Sequence, residues 1–231
     1  MSSFNAKPRD TYLISSSEGA TNIKRIYDYL LSNGYAYNCI IGIEGNIYQE
    51  SGLNPWLWED NTVNYAKGYG LFQFTPASDY INATGIPNHA PNLTTTAQSP
   101  GADPDDAYGQ MYCVINDTFG KWVSSCWRSY YPISDFPDLY AERQHVLTTY
   151  GNGSSLTQAQ FKLINDYTDA CFAFLMCYEG PANESGNTIR DKYNARLNYC
   201  AQIKTILDSY GGSGDILFLK KIINGQRRFI K

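Results

Sequence analysis

The run Gly42-Ile43-Glu44-Gly45-Asn46-Ile47-Tyr48-Gln49-Glu50-Ser51-Gly52-Leu53-Asn54-Pro55 decides how the rest of this chain is read. It reads as the end of a buried helix that carries a carboxylate, Glu50, on its last turn. Gly52 supplies the left-handed residue at which helices stop, and Pro55 prevents resumption. Upstream, Ile40, Ile41, Ile43 and Ile47 make the segment from about Tyr37 to Glu50 hydrophobic almost all round, so this helix is expected to be central. Gly42 and Gly45 cost helix propensity and are expected to permit close packing. Glu44, the other acid on the helix, lies about 240° around it from Glu50 and points to a different face.

A carboxyl at a helix C-terminus faces the negative end of the macrodipole, which disfavours ionisation. Apolar neighbours (Ile47, Leu53, and Trp56 or Trp58) would desolvate it and act in the same direction. A carboxyl kept neutral near physiological pH is what protonation of a glycosidic oxygen requires. The bland alternative is a solvated glutamate on a last helical turn.

Beyond Pro55, the segment Trp56 to Pro76 is expected to form a short β-hairpin or irregular β-lobe. Asp60-Asn61 is turn chemistry, and Lys67-Gly68-Tyr69-Gly70-Leu71-Phe72-Gln73-Phe74-Thr75-Pro76 is a glycine-punctuated aromatic run without helical spacing. A second carboxylate, if the chemistry uses one, comes from here. Asp60, in the turn, is better placed to reach across a cleft, and Glu59 is the weaker candidate. Solvated turn residues are the alternative for both. An inverting glycosidase holds its two carboxyls about 6.5–9.5 Å apart and a retaining one nearer ~5 Å.

Other elements follow from periodicity. Thr21 to Asn33 is a helix with Ile23, Ile26, Leu30 and Leu31 on one stripe, capped by Thr21 and closed by Gly34. Thr157 to Tyr178 reads as one strong helix with Phe161, Ile164, Tyr167, Cys171, Phe174, Leu175 and Tyr178 in register. A last helix, about Thr188 to Tyr210, buries Ile189, Tyr193, Leu197, Cys200, Ile203 and Leu207. Ala107 to Tyr150 is helical but broken at Gly120, Pro132 and Pro137, and Ile86 to Pro104 reads as a long surface loop. Asp103, Asp105 and Asp106 lack the glycine turn and terminal Glu of a calcium loop, so a helix N-terminal acidic cluster accounts for them better.

With 231 residues, 43% hydrophobic and 17% charged, the chain is long enough for one large domain with a sizeable core. The expected organisation is an N-terminal arm (residues 1–20), a main domain (21–210), and a Gly-rich linker with a basic tail (211–231). That tail holds Lys220, Lys221, Arg227, Arg228 and Lys231 against Asp215. It reads as the start of a second module, a processing stub or a segment that docks on an acidic partner. The net charge of −4 gives no support for nucleic-acid binding. Aromatic residues at 15%, including 20 Tyr, suit a carbohydrate groove mildly. Met1 to Glu18 lacks the apolar core of a secretion signal. No apolar run approaches the ~18 residues of a transmembrane segment.

Of the six cysteines, Cys171 and Cys177 on one helix would lie about 9 Å apart, too far for a bridge. Mostly free buried thiols are expected, with Cys113–Cys126 the pair to test first. His89 and His145 are the only imidazoles and no Cys-x-x-Cys occurs, so no metal or cofactor is expected, and a zinc amidase or peptidase is disfavoured.

Three blocks carry a resemblance: Gly45-Asn46-x-x-x-Glu50-Ser51-x-x-Asn54-Pro55, then Gly68-Tyr69-Gly70-Leu71-Phe72-Gln73-Phe74-Thr75-Pro76, then Phe174-Leu175-x-x-Tyr178-Glu179-x-Pro181-Ala182. In this order, spanning roughly Thr21 to Tyr210, the chain resembles the phage tail lysozyme family, distant relatives of goose-type lysozymes and lytic transglycosylases. The resemblance implies an α+β, mainly α fold, lysozyme-like and two-lobed, with a small β-hairpin lobe beside a helical lobe. It implies a muramidase that cleaves the β-1,4 bond between N-acetylmuramic acid and N-acetylglucosamine in peptidoglycan glycan strands, with Glu50 matching the general acid. It also implies a place in the virion tail, among other phage tail proteins, acting at the host cell wall. Gln73 either contacts an N-acetyl sugar or orients water, or else ties the hairpin to the helix. Thr75, Tyr69 and Tyr178 are further substrate-binding candidates. Glu179 is a cleft residue or, the favoured reading, an anchor that bonds backbone amides. The family pattern commonly has Arg after this Glu, and here Gly180 stands instead. Hydrolysis is favoured over lytic transglycosylation, and a non-catalytic wall-binding tail protein is the other class.

Overall fold

The computed structural model describes residues 16–61, 64–82, 107–182 and 188–210. The central helix is where the sequence puts it. α2 (Tyr37–Ser51) ends at Gly52, which adopts the left-handed conformation at φ 56° and donates its N–H to the Tyr48 carbonyl. Every residue of α2 from Cys39 to Tyr48 is buried.

α2 is sandwiched between α7 (Tyr167–Phe174) and α8 (Ile189–Ser209), with α1 (Ser17–Ser32) also packed on it. Its two glycines set the approach. A Cβ on Gly42 would lie 2.5 Å from the Cys171 amide nitrogen, and one on Gly45 would collide with the Cys200 sulfur. Asn46, buried between them, donates Nδ2 to the carbonyls of Gly42 (2.8 Å) and Cys171 (3.3 Å). Gly42 touches Ala170 and Cys171, and the C-terminal ends of both elements reach one cleft, so α2 and α7 run parallel. Tyr37 bonds Asp208 and Glu50 bonds Arg196, so α8 runs antiparallel to α2.

α1 begins before the expected Thr21, because the Ser16 hydroxyl accepts from the Gly19 N–H at 3.0 Å and caps it. Ile23, Ile26 and Leu30 are buried as the stripe predicts. α8 is capped by Thr188 with Asp191 in a reciprocal capping box, and buries Ile189, Tyr193, Cys200, Ile203 and Leu207. Between these lie α3 (Ala77–Asn82), α4 (Tyr108–Ile115), α5 (Pro137–Thr149) and α6 (Gln158–Phe161).

Three expectations are corrected. The single helix over Thr157 to Tyr178 is two. α6 stops at Phe161, and Asp166 caps a new helix by accepting from the Thr168 (2.7 Å) and Asp169 (3.4 Å) amides. The break is useful to α2, since the Lys162 carbonyl accepts from the Ala36 N–H at 2.8 Å at its start. Then α7 widens into a π-helical turn, Leu175–Glu179, closed by Gly180 N–H to the Leu175 carbonyl at 2.8 Å.

The β-hairpin lobe is absent: among the described residues there is no strand, and the fold is helical. The segment after α2 pairs through one antiparallel bridge, Trp58 with Tyr69. Glu59 N–H reaches the Gly68 carbonyl (2.9 Å), and Gly70 N–H reaches that of Leu57 (2.8 Å). A strand needs consecutive extended residues, and here Asp60, Gly70 and Gln73 all have positive φ (57°, 80° and 44°). The pairing is therefore broken on both sides almost as soon as it forms. The lobe's role as a wall is instead held by Gln110. Its side chain donates to the Pro55 carbonyl (2.9 Å), accepts from the Leu71 N–H (2.6 Å), and occupies the space a Gly70 Cβ would take.

The third correction concerns sulfur. Cys126 is bonded to Cys177, not to Cys113; Cys39, Cys113, Cys171 and Cys200 are buried free thiols. The π-helical turn brings Cys177 to the loop after α4, a proximity that sequence spacing does not encode. The expected loop 86–104, the acidic trio 103–106, the arm up to residue 15 and the tail from 211 lie outside the described residues.

Candidate active-site cleft

A cleft of about 680 Å³ opens at the C-terminal end of α2. One wall is the segment after the helix, with Leu57, Trp58, Glu59, Asp60, Phe72, Gln73 and Thr75. The other is formed by Lys121, by Glu179, Pro181 and Ala182, and by Lys192, Ala195 and Arg196 of α8, and Glu50 stands between them. The three blocks of the sequence motif therefore meet in one place, although 129 residues separate Glu50 from Glu179 along the chain.

Glu50 is not in the apolar pocket expected of it. Its Oε1 accepts from Arg196 Nη2 in a close ion pair. The Arg196 side chain is 4% exposed and the Glu50 side chain 23%, so the pair is sunk into the wall while Glu50 still reaches the cleft. Arg196 also donates Nη1 to the Lys192 carbonyl at 3.0 Å, one turn up its own helix. Sequence reasoning missed this residue. Its position between Tyr193 and Cys200 on an otherwise apolar stripe was the available signal, since a guanidinium there must find an anion.

Glu59 and Asp60 stand on the far lip, both exposed. Glu59 Oε2 accepts from the Gly68 N–H at 2.7 Å, and Asp60 is ion-paired with Lys67. Gln73 lies between the lip and the helix end. Its Nε2 donates to the carbonyls of Gly70 (2.9 Å) and Leu57 (3.3 Å), both in the segment after α2 and neither on the helix itself, and the residue remains half-exposed on the cleft. Thr75 is exposed, with its hydroxyl donating to the Gln73 carbonyl.

Tyr69 and Tyr178 are corrections. Tyr69 is 1% exposed and packs between Trp58 and Tyr80; Tyr178 is 2% exposed and stacks on Phe174. Neither offers a face to a sugar, because the aromatic residues of this region are spent on the core beneath the cleft floor.

Glu179 is also corrected. It does not bond backbone amides: its Oε1 is buried with no hydrogen-bond partner among the described residues. Burial pushes its carboxyl up to about 8, and the charge of Glu50 acts in the same direction, against Arg196, Lys121 and Arg128. The cation that the family pattern places after this Glu is replaced in space. Gly180, left-handed at φ 61°, leaves the room that Arg128 fills, its Nε 2.5 Å from where a Cβ would stand. Arg128 Nη2 donates to the Tyr178 carbonyl at 3.1 Å.

No group of His, Cys, Asp and Glu among the described residues is arranged to hold a metal ion, and no described helix is long and apolar enough to cross a membrane.

The family model for phage tail lysozyme matches residues 21–207 of this chain. Among curated proteins, morphogenesis protein 1 of Bacillus phage B103 is similar, 40% identical over 75 residues. That stretch is 32% of this chain and 20% of the phage B103 protein, so the match spans about a fifth of that relative's length.

Proposed function

The chain belongs to the phage tail lysozyme family, and from that premise we propose that it is a peptidoglycan glycosidase of a phage tail. It cleaves the β-1,4 bond between N-acetylmuramic acid and N-acetylglucosamine, at the host cell wall, to let the tail through. The observation that carries this is the position of Glu50, at the C-terminal end of a buried helix and lining a cleft of about 680 Å³. Glu50 is the general acid that protonates the bridging oxygen. Asp60, which lines the same cleft and pairs with Lys67, is the tentative second carboxylate, with Glu59 the weaker candidate. Gln73 and Thr75 present polar groups to the sugar between them.

The ion pair with Arg196 bears on the geometry of that role. It fixes the Glu50 carboxyl in direction, which is what positioning at a scissile bond demands. The test is turnover of purified peptidoglycan by the wild type and by Glu50→Gln, with mass spectrometry of the released muropeptides. The variant is expected to lose activity by about 100-fold or more, and the wild type to release reducing ends. Equal clearing by both would remove Glu50 from the chemistry. Anhydro products from the wild type would make the enzyme a lytic transglycosylase. Failure of the wild type to release any product would favour a wall-binding protein.

A further inference from the structure

The assignment of Glu50 as the acid leaves its proton unaccounted for. An ion pair with a buried guanidinium holds a carboxylate, and a carboxylate has no proton to give. Glu179 shares the cleft with it. A buried carboxylate oxygen without a donor is costly, whereas a buried carboxylic acid is far less so. The Oε1 of Glu179 is in that position. Two guanidinium nitrogens, Arg196 Nε in the same wall and Arg128 Nε beside Gly180, are likewise buried and unpartnered among the described residues. Donors are therefore present around a carboxyl that does not yet use them.

The covalent structure fixes this arrangement. The Cys126–Cys177 disulfide joins the loop after α4 to the π-helical turn, and Arg128 and Glu179 each lie two residues beyond a bonded cysteine. The Val123 N–H adds a 2.7 Å bond to the Cys177 carbonyl.

We infer that Glu179 stores the proton that Glu50 delivers. With the cleft empty, Glu179 is the neutral carboxyl and Glu50 the carboxylate. During the reaction the proton passes from Glu179 to Glu50, and from Glu50 to the bridging oxygen. The bond from that oxygen to the muramic C1 breaks, and its electron pair stays on the oxygen, which leaves as a hydroxyl. Glu179 is left as a carboxylate facing Arg128, Arg196 and Lys121, the cations that offset its new charge. Water adds to C1 and releases a proton, which returns through Glu50 to Glu179. This step rests on the glycosidase reading of the cleft. Glu179 acts through Glu50 and is a positioning residue.

Two measurements test it. The first needs no substrate: carbon-13 NMR titration of the glutamate carboxyls in the intact protein. Glu179 is expected to titrate near 8 in the wild type and lower in Glu50→Gln, where the neighbouring charge is gone. Titration of Glu179 in the ordinary carboxylate range in the wild type would overturn the inference. The second is kinetic. Glu179→Gln is expected to lower kcat about 100-fold with KM little changed, and to lack the decline in activity expected of the wild type above about pH 8. Wild-type turnover and pH profile in Glu179→Gln would also overturn it. Full activity in Glu50→Gln would instead sink the assignment of the acid, and leave the titration to decide which carboxyl holds the proton. Should Glu179→Gln fail to fold, the NMR titration stands as the test.

Discussion

Replacing Cys126 and Cys177 by serine should cost this protein more than any surface change, and the amount can be worked from the chain. The crosslink closes 51 residues of sequence separation. The chain-entropy relation for a loop of that size gives about 14 cal/mol/K, or about 4 kcal/mol near room temperature. For a chain of this length each kcal/mol moves the melting temperature by about 2–4 °C, so the double variant is expected to melt about 8–16 °C lower. Circular dichroism at 222 nm reads the transition, with the wild type in reductant as the second route to the same state. The loss should also be local. The bridge holds the π-helical turn against the loop that carries Lys121 and Arg128, so turnover is expected to decline with temperature before helicity does. A double variant that melts within about 2 °C of the wild type would refute the reasoning, because the turn would then be held by its packing alone.

Gly42→Ala and Gly45→Ala are both expected to destabilise, by about 1–3 kcal/mol, against the ~1 kcal/mol that alanine adds to helix propensity. They differ in rescue: a Gly45 methyl meets the Cys200 sulfur, so Cys200→Ala should recover part of the loss, whereas a Gly42 methyl meets the backbone of Ala170 and Cys171 and should not be rescued. Urea titration of the single and double variants measures this, and absence of rescue at Gly45 would place the strain elsewhere. Glu44 predicts a pH dependence: both its carboxyl oxygens are buried without partners among the described residues, and burial holds its pKa well above the ordinary 4.5, helped by Asp28 and opposed by Lys24. The folded state therefore keeps a proton that the unfolded state releases, and stability falls as pH rises from the unfolded value towards the folded one. Glu44→Gln removes that slope, so its stability relative to the wild type should grow between pH ~5 and ~7, by at most about 1.4 kcal/mol per unit; a difference flat in pH would mean Glu44 is solvated or paired.

What was legible in the sequence was what local chemistry decides. Gly52 and Pro55 announced the end of α2, and the run of isoleucines announced its burial, because both signals act within a few residues. The last helix was read to start at about Thr188, the residue that caps it. Where two local signals competed, periodicity misled. The stripe from Phe161 to Tyr178 pointed to one helix, yet Asp166 is a capping residue in mid-stripe and the chain uses it. The π-helical turn was invisible, since one added residue per turn shifts the register without changing composition. The alternating aromatic residues from Tyr69 to Phe74 suggested strands, and the positive φ at Gly70 and Gln73 was the fact that pattern could not supply. Glu50, Glu59, Asp60, Gln73 and Thr75 line one cleft, while the cations Arg196 and Arg128 did not appear in the reading at all.

Those cations are what the fold's own geometry demands. α2 and α7 run parallel, each ends at a left-handed glycine, and each carries a glutamate at that end: Glu50 before Gly52 and Glu179 before Gly180. Two negative dipole ends and two carboxyls thus converge on one cleft, an arrangement that repels itself. Three features answer it. α8 runs the other way and brings its positive N-terminal half, with Lys192 and Arg196, to the same place. Arg128 enters over the missing side chain of Gly180. Third, burial and the charge of Glu50 raise the Glu179 carboxyl to about 8, which favours a proton there. A proton on Glu179 beside the Glu50–Arg196 ion pair is the arrangement in which two parallel helix ends tolerate each other, and under the proposal above the proton store follows from how the helices are packed.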